Sequence, residues 1–158
     1  MGQLMGFIYM FFLIFSYFQK YASKLLLYQS LAFLFKGIHY FLIGGLSGSL
    51  TSIVSFIRNL LFTKVKSKVL IIFFIILYLI IGITCFTDFF STLPVIATIL
   101  YSFFVYIKNP KYLRLSSLFT SFIWLIYNIY LISYGGVLTQ IILIISNISA
   151  MIKLDKKK

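Results

Sequence analysis

GSLTSIVSFIRN, residues 48–59, and GVLTQIILIISN, residues 136–147, are two versions of one segment. At an offset of 88, Gly48 aligns with Gly136, Leu50 with Leu138, Thr51 with Thr139, Ile53 with Ile141, Ile57 with Ile145 and Asn59 with Asn147. Upstream the offset becomes 89: Leu26 aligns with Leu115, Phe35 with Trp124, His39 with Asn128 and Leu42 with Leu131. A fixed period of this kind marks one structural unit used twice. What that unit is follows from composition.

The chain has 158 residues, of which 62% are hydrophobic and only 10% charged. A soluble domain is closer to half apolar and a quarter charged. A fold of this size leaves too much surface in water to hide so much apolar area. The natural solvent is the bilayer, and the chain reads as an all-α integral membrane protein. Its net charge of +12 comes from fourteen Lys and Arg against two acids, Asp88 and Asp155. Such a balance would suggest nucleic acid in a soluble protein. Here the apolar runs leave no soluble domain to present a basic face, so no nucleic-acid partner is expected.

A spanning helix needs about 20 mostly apolar residues. Polar or basic breaks cut the chain into seven segments, at about 2–19, 24–43, 45–62, 69–86, 91–107, 113–132 and 135–152. The start, MGQLMGFIYMFFLIF, lacks the basic region and cleavage site of a signal peptide and reads as a retained first helix. With seven spans, twelve of the fourteen cations fall on one side. Lys20 and Lys24 lie in the first connection, Lys64, Lys66 and Lys68 in the third. Lys108, Lys111 and Arg114 lie in the fifth, and Lys153, Lys156, Lys157 and Lys158 in the tail. The positive-inside rule makes that side cytoplasmic, with the N-terminus out and the C-terminus in. The domain reading follows: residues 1–62 form a first three-helix repeat, 63–90 a linker helix with its loops, 91–152 a second repeat, and 153–158 a basic tail. An odd linker span gives both repeats the same orientation, so they form a parallel repeat about an axis along the membrane normal.

Polar side chains inside a membrane turn toward the bundle interior, and helical spacing groups them. Gly48, Ser52, Ser55 and Asn59 share a face of the third segment; Gly136, Gln140 and Asn147 match them in the seventh, with Leu143 between. Gln29, Ala32, Lys36 and His39 share a face of the second, and Ser117, Ser121, Trp124 and Asn128 one of the sixth. One reading has the four stripes lining a solute path, with Asn59 and Asn147 facing each other and Trp124 stacking on the solute. The candidate binding residues are then Asn59, Asn147, Trp124, Asn128, His39, Lys36 and Ser55. The other reading is helix packing, which favours small residues and interhelical hydrogen bonds.

Two cations stand outside the loops. Arg58 lies about four residues from the cytoplasmic boundary, roughly 6 Å along the axis, within reach of snorkelling. It either stops the third span and fixes topology, or binds an anionic group, or closes an inner gate. Asn59, turned about 100° from it, need not share its task. Lys36 lies roughly 10 Å deep; it either snorkels outward or, sharing a face with His39, forms a basic spot in the cavity.

The stretches SIVSFIRNLLF (52–62), KNPKYLRLSS (108–117), WLIYN (124–128), YGG (134–136) and KLDKK (153–157) resemble the YgjV-type bacterial inner-membrane proteins over nearly the whole chain. The resemblance implies a fold similar to SWEET and PQ-loop carriers of sugars or other small solutes. It also implies that Asn59 and Asn147 contact substrate, as an asparagine does on each third helix of the sugar-carrying relatives. The chain departs from the PQ-loop pattern, with Phe18-Gln19 where Pro-Gln is expected.

Chemistry is scarce. One His, one Cys, no Glu and two Asp at opposite faces build no acid–base pair, metal cluster or triad. Neither a metal nor a cofactor is expected, and Cys85 has no disulfide partner in the chain. Three functions remain in play: a facilitative carrier of a small polar solute, a membrane scaffold or accessory subunit, and a small pore. The bilayer is the first partner, and a second copy of the chain stays open.

Overall fold

The computed structural model describes residues 2–155, apart from the Gln3 side chain; the tail lysines 156–158 lie outside the described residues. The described residues form seven α-helices and no strand. They are α1 (Gly2–Tyr17), α2 (Ala22–Leu42), α3 (Leu46–Lys64), α4 (Lys68–Thr84), α5 (Leu93–Ile107), α6 (Pro110–Tyr130) and α7 (Tyr134–Asp155), with a 3-10 turn at Phe90–Thr92 leading into α5. They coincide with the seven sequence segments to within a few residues.

The boundaries have local causes. Ser67 caps α4 by accepting from Leu70 N at 3.3 Å, and Asn109 caps α6 by accepting from Lys111 N at 3.0 Å. Pro110 follows at the first helical position, where its missing N–H costs nothing. That pair starts α6 three residues earlier than the apolar run suggests. α2 ends at a left-handed Gly44, φ 81°, a conformation that only glycine adopts without strain. The equivalent turn after α6 has Ile132 at φ 52°, where a β-branched side chain is strained. Ile132 is exposed and packs against little. Ile132→Gly is therefore expected to stabilise the protein by about 1 kcal/mol, read as a higher unfolding midpoint in detergent.

By length and composition, three helices are able to cross a membrane: Ala22–Leu42, Phe90–Ile107 and Tyr134–Asp155. Leu4–Tyr17 and Lys68–Thr84 are apolar but shorter. α3 and α6 have the length, but serines, threonines and basic residues dilute them. α4 is the plainest case of a lipid-suited surface. It buries Ile71, Phe74 and Tyr78 along one stripe and exposes Val69, Ile72, Phe73, Ile76, Leu79, Ile80 and Ile83. An apolar surface of that extent is not left to water.

Helix contacts repeat in the two halves. α2 lies between α1 and α3 as α6 lies between α5 and α7; α1 meets α7 as α5 meets α3; α2 meets α6. Exchanging the halves maps each of these contacts onto another. α4 stands outside the pairing and bridges α3 and α5. Its stripe joins Leu25, Leu26, Phe62, Tyr101, Val105 and Leu113 in the largest apolar cluster.

Hydrogen bonds show which helix ends share a face of the bundle. Lys108 Nζ donates to Thr63 O at 3.0 Å. Arg114 Nη1 donates to Tyr17 O at 3.3 Å and Gln19 O at 3.0 Å, and the guanidinium pairs with Asp155. Lys20, Lys24, Lys64, Lys66, Lys68, Lys108, Lys111, Arg114 and Lys153 thereby gather at one end. At the other end, His39 Nδ1 donates to Gly2 O at 2.8 Å and Ser47 Oγ to Ser91 O at 2.6 Å. There Tyr130 donates to Asp88 and holds that exposed carboxyl below its ordinary range. Among the described cations, only Lys36 and Arg58 belong to neither the basic end nor a loop.

Candidate functional site

All four polar stripes are buried, including the glycines at their heads. Members of each stripe line a cavity of about 30 Å³, walled by residues of α1, α2, α3, α5, α6 and α7. By the same measure a water needs about 10–15 Å³, so the space suits about two waters or one small solute. Lys36, Ser52, Ser55, Arg58, Ser117, Ser121, Trp124 and Gln140 are in its wall. Lys36, Trp124 and Ser55, expected to bind solute, are thus brought together.

Asn59, Asn147, Asn128 and His39 are not in that wall. Asn59 Nδ2 donates to Gln29 Oε1 at 3.4 Å, and Asn147 Nδ2 to Arg114 O at 2.8 Å. Each asparagine ties the third helix of its half to the middle helix, so they do not face each other. Asn128 Nδ2 donates to Tyr40 Oη at 2.8 Å and Trp124 O at 2.7 Å. His39 turns to the end of the bundle and Gly2. Each amide nitrogen bonds to a neighbouring helix, while Asn128 Oδ1 and Asn147 Oδ1 are buried without a partner.

Arg58 does not snorkel. It is fully buried. Nε and Nη2 donate to Asn59 Oδ1 at 3.1 and 3.0 Å, and Nη1 donates to Ser102 Oγ at 2.6 Å and Thr98 O at 3.2 Å. The rings of Tyr78 and Tyr101 flank the guanidinium, 5.6 and 5.5 Å from Cζ. The long side chain folds back across its own helix. Arg58 and Asn59 therefore share one network despite their separation around the helix. Every acceptor in it is neutral.

The Lys36 ammonium sits among aromatic rings. Nζ is 3.2 Å from the centroid of Trp124 and 5.7, 5.8 and 6.0 Å from those of Phe33, Tyr40 and Tyr9.

A layer of side-chain contacts lies toward each end of the bundle. On the Gly44 side, Tyr40 and Trp124 stack at 5.2 Å, and Tyr127 packs against both. Beyond them opens a vestibule of about 220 Å³, lined by Ser47, Cys85, Ser91, Tyr127 and Tyr130 among others. Tyr127 is seated on Gly48, where an added Cβ would lie 2.8 Å from its ring. On the basic side, Ser117 Oγ donates to Tyr17 Oη at 3.0 Å, and below it Arg114 pairs with Asp155.

Sequence reasoning missed the walls from α1 and α5, namely Leu13, Tyr17, Ala97, Thr98 and Tyr101. A periodic clue existed for α5, where Ala97, Thr98 and Tyr101 break an otherwise aliphatic run. For α1 only Tyr9, Ser16 and Tyr17 hinted at a polar side. Arg114 was read as a loop cation, yet it is buried.

The family model Imp-YgjV, bacterial inner membrane protein, matches residues 1–158. The chain belongs to this family. The match places it among bacterial inner membrane proteins, in agreement with its apolar helices. No curated protein and no solved structure matches the chain.

Proposed function

We propose that this Imp-YgjV protein is a facilitative carrier of a small polar solute. In this reading all seven helices cross the membrane, with the N-terminus outside and the basic end in the cytoplasm. The two three-helix halves form a parallel repeat of SWEET-like type and rock about the central cavity. The observation that carries the reading is the central cavity, walled by polar and apolar residues of both halves, with a separate contact layer at each end. The Tyr40–Trp124–Tyr127 layer is the outer closure. The Tyr17–Ser117 bond and the Arg114–Asp155 pair are the inner one. A pore would need no such pair of closures, and a scaffold no such cavity. The helix contacts map onto one another when the halves are exchanged, and in this reading the joint between the halves is the element that switches.

The chain offers no acid–base pair in this cavity, and we read it as a carrier without chemistry of its own. Solute counterflow into proteoliposomes tests the reading, with a panel of sugars, polyols and small anions. Saturable uptake is expected for the parent, with at least about a tenfold loss in Ser121→Leu, whose added bulk fills the cavity. No uptake of any solute by folded protein would overturn the carrier and favour the scaffold or accessory-subunit reading.

A further inference from the structure

We infer that the central cavity binds a small monovalent inorganic anion between Lys36 and Arg58. The inference rests on the carrier reading for the cavity's purpose and names the class of its solute. It follows from charge balance. The whole chain holds two carboxylates. Asp155 is engaged by Arg114, and Asp88 lies at the far end with Tyr130 and Ser91. None is left for the interior. Yet two basic side chains line one cavity, and both are buried. A guanidinium stays protonated in proteins, and a buried charge without a counter-charge is costly. Arg58 has four of its five N–H directions engaged, all by neutral oxygens. The Lys36 ammonium has rings around it. Neither arrangement neutralises the cavity. In the same wall Ser55 Oγ shares one hydrogen bond with Tyr78 Oη at 2.9 Å, so Ser55 has a proton for a bound ion when Tyr78 donates, whereas Ser52, Thr120 and Ser121 donate to carbonyls of their own helices. The volume of about 30 Å³ admits a halide-sized ion and rejects a sugar in this closed state. A neutral solute would leave the Arg58 guanidinium without a counter-charge, whereas an anion supplies it and also accepts from the Lys36 amine.

The chain supplies its own reporter. Trp124 is its single tryptophan, and its ring lies 3.2 Å from Lys36 Nζ. Sodium bromide, a heavy-atom quencher, is titrated into protein in a neutral detergent, with ionic strength held by sodium gluconate. Trp124 quenching is expected to saturate, and chloride is expected to compete. Lys36→Met should weaken the saturable phase at least about tenfold, the usual scale for a lost hydrogen bond to a charge; Lys36→Arg should retain it. Arg58→Met should weaken it similarly. Quenching linear in bromide for the parent, or a saturable phase unchanged in both methionine variants, would overturn the site. If Lys36→Met does not fold, Arg58→Met and the chloride competition decide alone. Saturable binding without any flux in liposomes would keep the anion site and remove the carrier. Saturable flux of a neutral solute beside linear quenching would keep the carrier and remove the anion.

Discussion

Asp155→Ala is expected to destabilise the protein by about 3–5 kcal/mol, the usual effect of removing one partner from a buried ion pair. Asp155 closes α7 and receives both Nε and Nη2 of Arg114 from the start of α6. The two side chains are only 4% and 9% exposed, so water replaces the lost carboxylate poorly. Arg114 also donates to the carbonyls of Tyr17 and Gln19, which end α1. Three helices therefore meet on one guanidinium. Without Asp155 it keeps its charge and loses its only ionic partner among the described residues. Thermal unfolding in detergent, followed by Trp124 fluorescence, should show a midpoint lower by about 10 °C or more. The double variant Arg114→Met/Asp155→Leu separates pairing from burial. It should regain much of the loss, because an apolar pair needs no counter-charge. A single variant as stable as the parent would show that the pair is solvated and holds nothing shut.

The helices were legible because lipid imposes a simple rule: every backbone group must be satisfied within the segment. Long apolar runs with polar breaks then have one solution. The stripes were legible for a related reason. Gly48, Ser52, Ser55, Lys36, Ser121 and Trp124 are costly or useless facing lipid, so burial follows from residue type alone. What burial does not specify is the partner. Asn59 and Asn147 align in the sequence, and the bonds they donate run from α3 to α2 and from α7 to α6. Spacing on one helix names a face; it does not say whether a neighbouring helix or a cavity meets it. Arg58 failed for a different reason. Snorkelling is the default for a cation near a boundary, and it was overridden because Ser102 and Thr98 on α5 and the adjacent Asn59 offered acceptors inward. No one-dimensional pattern links α5 to residue 58.

Arg58→Met should have the opposite signature to Asp155→Ala: function lost, stability kept. Methionine matches much of the arginine stem and fills irregular space. It removes a charge for which the interior has no carboxylate. The groups it abandons have other partners. Ser102 Oγ still donates to Thr98 O at 2.7 Å, and Asn59 Nδ2 still donates to Gln29. Only Asn59 Oδ1 loses both of its donors, a cost of about 1–3 kcal/mol. Relief from burying an unpaired ion is of several kcal/mol. The net expectation is an unfolding midpoint equal to the parent's or higher when measured in gluconate, without a small anion. In chloride the comparison should reverse, since a ligand stabilises only the form that binds it. Anion counterflow should fall at least about tenfold. A residue kept merely for packing would behave otherwise: its removal would lower stability equally in both salts. A large loss of stability in gluconate would therefore show that Arg58 is a structural tie between α3 and α5, with its charge incidental. The salt-dependent crossover is what an arginine retained for an anion requires.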